Sequence, residues 1–103
     1  MVEDKAFSEL VVDSICESVK DAMGPGVLQV LVEGGLLDNS ENPAEFDKQL
    51  RKMFGNAARV LERLIVKELF RKLGIPYRSE PSFDYGESID TARKVRFAMA
   101  RIK

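Results

Sequence analysis

The chain has 103 residues, of which 45% are apolar and 32% charged, with a formal net charge of −1. This composition excludes a disordered chain and allows one domain around one core. The charge balance excludes the strongly basic profile of a dedicated nucleic-acid-binding domain. A lone Cys16 excludes an internal disulfide, and there is no histidine.

The average hides a gradient. Residues 1–22 carry six acids against Lys5 and Lys20, whereas residues 88–103 carry five cations against Asp90. No apolar run approaches the roughly 18 residues of a membrane span, and the acidic start is unlike a signal peptide. A reducing compartment suits the single thiol, so the expected localisation is cytoplasmic.

Residues 4–23 place Phe7, Val11, Ile15, Val19 and Met23 at four-residue intervals, which predicts a helix with one apolar face. Gly24-Pro25-Gly26 should end it. The run Val27 to Val32 is open between strand and helix. Its β-branched residues suit a short buried strand, but no partner strand is evident, and we read it as a short buried helix stopped by Gly34-Gly35.

Asn42, Pro43 and Glu45 form a helix-start signature, and Phe46, Leu50, Met53 and Phe54 supply the apolar face that follows. Gly55-Asn56 breaks or bends this helix, with Asn56 placed to cap the next. Residues 57–73 give the strongest helical pattern. Ala57, Leu61, Ile65, Leu69 and Leu73 recur every four positions, backed by Val60, Leu64, Val66 and Phe70. Leu73-Gly74-Ile75-Pro76 is a stop signal.

Residues 77–87 read as an extended connector holding Tyr77, Phe83 and Tyr85. Residues 88–102 predict a last helix with Ile89, Ala92, Val95, Met99 and Ile102 on one face. The expected architecture is all-α, with a four-helix body over residues 1–76, the connector, and a C-terminal helix over residues 88–103. That last helix should pack on the body or across a dimer.

Catalytic signatures are missing. Without histidine there is no serine–histidine or cysteine–histidine pair, and one cysteine cannot build a thiolate zinc site. The glycine pairs follow no predicted strand and lack the lysine and hydroxyl of a phosphate loop. Cys16 lies beside the core row among acids, which reads as a buried structural cysteine. No catalytic, cofactor-binding or metal-binding residue is expected.

Two charged rows stand out. Glu9, Asp13, Glu17 and Asp21 run down the first helix, and Arg59, Arg63, Lys67 and Arg71 run down the fourth, with Glu62 and Glu68 interspersed. Each row is offset by about 200° from its apolar row and should face solvent or another molecule. If the apolar rows meet, the charged rows should not face each other through that core.

The stretch Pro43-Ala44-Glu45-Phe46, Leu50, Phe54-Gly55, Ala58, Leu61-Glu62, Ile65 and Leu69, with Ile15, Val19 and Gly24 upstream, resembles a small archaeal helical family, the Nitrosopumilus output domain. The resemblance covers residues 4–73 and leaves out the connector and tail. It implies an all-helical domain, sometimes joined to signalling modules, with no established biochemical activity.

The function expected from the sequence is a non-enzymatic interaction or signalling-output domain that associates with itself as a homodimer or with another protein, and with no membrane. Its expected contacts are Arg59, Arg63, Lys67, Arg71, Val66 and Phe70 on the fourth helix, and Ile89, Val95, Met99 and Ile102 on the tail. The alternative is an accessory nucleic-acid-binding or transcription-associated protein using Arg59, Arg63, Lys67, Arg71, Arg93 and Arg96.

Overall fold

A computed structural model describes residues 5–77 and 83–102, and for residues 5, 6 and 99–102 the backbone only. Among them are five α-helices and no strand: α1 (Lys5–Met23), α2 (Pro25–Glu33), α3 (Pro43–Phe54), α4 (Ala57–Leu73) and α5 (Tyr85–Ile102). The all-α expectation holds, and residues 27–32 are helical. Met99 and Ile102 have side chains outside the described residues.

α1 forms as its period predicts, burying Phe7, Val11, Ile15 and Val19. Gly24, at φ 93° and ψ 159°, turns the chain into α2, and Pro25 takes the first helical position. That backbone conformation is open only to glycine. α2 lies on α1 and buries no residue completely. Its end is a Schellman turn: Leu36 N–H donates to the Leu31 carbonyl at 2.9 Å and Gly35 N–H to Val32 at 3.1 Å. The turn drops Leu36 into the core with no exposure.

α3 starts on the expected cap. Asn42 Oδ1 accepts from the Glu45 N–H at 3.3 Å, satisfying one free donor of the first turn. Asn56, in contrast, is already helical at φ −66° and ψ −23° and makes no side-chain cap. The expected cap fails because Gly55, at φ 58°, makes the turn and the Ala58 N–H bonds its carbonyl instead.

α4 is the axis of the fold, packing against α1, α3 and α5. Its buried arc is Ala58, Leu61, Glu62, Ile65, Val66, Leu69 and Leu73. This is rotated from the sequence expectation. Ala57 is exposed, while Val60 and Leu64 remain 62% and 40% exposed. Three helical neighbours widen the arc toward Glu62 and Val66, and leave Val60 and Leu64 outside it. Gly74, in the left-handed region, closes α4 with a second Schellman turn, Ile75 N–H to Phe70 O at 2.9 Å.

α5 begins three residues earlier than expected. Asp84 accepts from the Glu87 N–H through its side chain at 2.8 Å and from the Ser88 N–H through its carbonyl at 3.0 Å. Asp84 and Glu87 therefore stand at capping spacing, and Gly86 is a helical residue rather than a breaker. α5 packs on α3 and α4 of its own chain, burying Tyr85, Ile89 and Ala92. Tyr85 stacks on Phe46 with ring centroids 5.4 Å apart.

Candidate functional site

Two features are set by how α4 meets its neighbours. On one flank, α1 and α4 leave an open groove of about 660 Å³ lined by Ser18, Asp21 and Ala22 from α1, Leu64, Lys67, Glu68 and Arg71 from α4, and Ile75 and Tyr77 beyond it. Leu64, Ala22, Ile75 and Tyr77 make it apolar. Tyr77 is held there edge-on to Phe70, with centroids 5.8 Å apart.

The C-terminal ends of the charged rows border this groove at its rim, on the surface and not across the core. Asp21 and Lys67 line it together, and Lys72 Nζ pairs with Glu17 Oε1 at 3.0 Å from α4 to α1. The rows drift around their helices, so their C-terminal ends converge at the seam although their centres point outward. Glu68 pairs with Arg71, which holds its carboxyl below the usual range.

The basic row does not act as one surface. Arg59 donates to the Phe83 carbonyl at 3.3 Å, and the Arg63 guanidinium lies 5.1 Å from the Phe83 ring centroid. These two arginines hold the segment leading into α5, while Lys67 and Arg71 border the groove. Arg93, from the alternative basic set, sits 5.3 Å over the Phe7 ring.

Other expected contacts are used inside the chain. Val66 is fully buried and Ile89 is 2% exposed, so neither is available to a partner; both serve the packing of α4 and α5. Phe70 and Val95 are half-buried. The exposed apolar side chains of α4 are Val60 and Leu64, on the flank opposite Val66, and sequence periodicity had assigned them to the core. Three valines of α2, Val27, Val30 and Val32, are also exposed.

On the other flank of α4 lies a smaller recess of about 330 Å³ between α3, α4 and the start of α5. Its base is Glu62, only 2% exposed, where the sequence placed it on a solvated basic face. Burial, followed by the hydrogen bond and charge of Asp47, pushes the Glu62 carboxyl up to about 8. The bond from Glu62 in turn holds Asp47 below its ordinary value. The second carboxyl oxygen, Glu62 Oε2, is buried without a hydrogen-bond partner. Burial first, then the charges of Glu62 and Asp47, raise the Tyr85 phenol.

Cys16 is half-buried rather than buried. Burial, then the charges of Asp13 and Glu17, push its thiol up, which disfavours the reactive thiolate. Among the described residues no group of three or more acidic or cysteine side chains is arranged to hold a metal, and no helix is long and apolar enough to cross a membrane. No protein-family model, curated protein or solved structure matches the chain, so the archaeal resemblance rests on the residues that carry it.

Proposed function

We propose that the chain is a non-enzymatic helical interaction domain that associates with itself through the α1–α4 groove, in the manner of a signalling-output module. The observation that carries this reading is the make-up of that face. Val60 and Leu64 are exposed beside an apolar groove, with Asp21 on the α1 wall and Lys67 and Arg71 on the α4 wall. A two-fold contact sets the same patch against itself. Glu68 offsets Arg71 on the α4 wall, which leaves Lys67 facing Asp21 of the α1 wall, and a two-fold contact can set the Lys67 of each copy against the Asp21 of the other.

The split of the basic row favours this reading over nucleic-acid binding. Phosphate recognition draws on several free cations along one track, whereas Arg59 and Arg63 are engaged with Phe83, and Arg71 with Glu68. Sedimentation velocity over a micromolar concentration series tests the proposal. The wild type should form a dimer. Val60→Asp with Leu64→Asp should leave a folded monomer whose melting temperature matches that of the wild type at concentrations where the wild type is dissociated, because neither side chain belongs to the core. A wild type that stays monomeric throughout the series, or a double variant that still dimerises, overturns it.

A further inference from the structure

Glu62 is an anomaly that the groove does not use. A carboxyl group buried to 2% exposure is tolerated when it is neutral or fully paired, and one of its oxygens has no partner. The groups around it come from three elements. α3 contributes Asp47, Lys48 and Arg51, α4 contributes Arg59, and the start of α5 contributes Asp84 and Tyr85. Arg51 is already held by Asp47 at 3.1 Å, and Arg59 by the Phe83 carbonyl at 3.3 Å. Neither cation is free to neutralise a second carboxylate without leaving its present partner.

We propose that Glu62 and Asp47 share one proton as a latch that holds the start of α5 on the α3–α4 pair, and that removing the proton loosens this end of α5 while α1 and α4 stay packed. With the proton in place, Glu62 donates to Asp47 and the pair carries one negative charge, already met by Arg51. Without it, two carboxylates lie side by side in a desolvated site, an arrangement that opposes double ionisation. The nearest relief is for Arg59 to turn toward Glu62. That move gives up the Phe83 carbonyl and loosens the segment that delivers Tyr85 to Phe46. The half-buried Asp47 carboxyl lines the recess and gives the proton a route out. This device is independent of the groove and of the proposed self-association.

The sign follows from linkage. The closed latch binds the proton more tightly than the open one, so its hold is complete below the ordinary carboxyl value of 4.5 and is lost as pH rises through about 8. Between those limits the opening equilibrium rises up to roughly tenfold per pH unit, then levels off. Amide hydrogen exchange on the full chain, with Glu62→Gln as the reference at each pH to cancel the intrinsic rate, reads this directly. Amides 85–92 of the wild type should lose protection relative to the variant as pH rises, through an opening smaller than the global unfolding that limits the amides of α1. Asp47→Asn should move the loss to lower pH, because it removes the like charge and leaves only a neutral acceptor for the Glu62 proton. Identical pH dependence in wild type and Glu62→Gln, or amides 85–92 that open only in global unfolding together with α1, overturns the latch. Should Glu62→Gln fail to fold, a carbon-13 titration of the Glu62 carboxyl in the wild type decides instead. An upward-displaced midpoint supports the shared proton, and an ordinary one overturns it.

Discussion

The two flanks of α4 are built on different principles. Toward α1 the contact is a seam of aliphatic side chains, with Val11, Ile15 and Val19 of α1 and Leu61, Ile65 and Leu69 of α4 in one core cluster, and charge kept to its rim, as at Glu17 and Lys72. Toward α3 and α5 the contact contains a buried acid, a stacked aromatic pair and a cation–π contact on Phe83. The first flank tolerates changes in charge and is sensitive to loss of volume. The second depends on which groups are protonated and on how the α5 helix is capped. One helix thus joins an apolar seam to a polar junction, and substitutions on its two sides should differ in kind as well as size.

The largest effect should come from the seam. Leu61→Ala and Ile65→Ala delete core methyl groups at positions that are 3% and 0% exposed, where such truncations typically cost about 2–5 kcal/mol. Arg63→Ala should stay within about 1 kcal/mol, since it removes a cation–π contact of a partly exposed side chain and no core methyl group. Chemical denaturation midpoints measure both. Equal losses would mean that the seam is not where the stability lies.

At the junction the expected effect depends on pH. Glu62→Gln keeps shape and a donor toward Asp47 but cannot ionise. Near pH 4.5 the two proteins should have similar stability. The wild type should then fall behind by up to about 1.4 kcal/mol per pH unit as pH rises to about 8, since its folded state holds a proton that the unfolded state gives up. Urea midpoints across this range check it. A constant offset between the proteins would break the contrast between the flanks.

These flanks were not equally legible in the sequence. Four-residue spacing found α1, α4 and the seam, because one neighbour on one face is what a helical period encodes. The same spacing put Val60 and Leu64 inside and Glu62 outside. Periodicity carries no information on how many helices surround α4, and α3 and α5 together turn its buried arc toward Glu62. Chemical type reinforced the error, since a glutamate between two arginines reads as solvated. The α5 start was legible and missed: Asp84 and Glu87 stand at cap spacing, but Pro81 and Gly86 made the stretch look like a loop. The groove could not be read, because it exists only where the ends of two drifting rows and the chain after Gly74 come together.

The cap offers the next test. Asp84→Ala removes the acceptor of the Glu87 N–H and should lower stability by about 1 kcal/mol, as loss of an N-cap typically does. Asp84→Asn should recover most of that. A thermal melt of the three proteins suffices, and an equal loss in Asp84→Asn and Asp84→Ala would show that the side chain acts through charge in the recess instead of through the cap.

The smallest effect should be at the seam's rim, where the inter-helical ion pair is the one element that looks like electrostatic glue. Lys72 Nζ and Glu17 Oε1 lie 3.0 Å apart, with side chains 17% and 47% exposed respectively. The Lys72 stem is therefore covered while the carboxylate still touches water, and the attraction is screened at one end. Pairs of this kind contribute roughly 0–1 kcal/mol, whereas the covered stem contributes apolar contact that survives removal of the charge. A double-mutant cycle of Glu17→Gln with Lys72→Met separates the two. The coupling between charges should be below about 1 kcal/mol and should fade as salt is raised, and Lys72→Met alone should be nearly neutral because its stem is kept. A coupling well above that range and indifferent to salt would mean that charge, as well as aliphatic packing, holds α1 to α4, and the division between the two flanks would collapse.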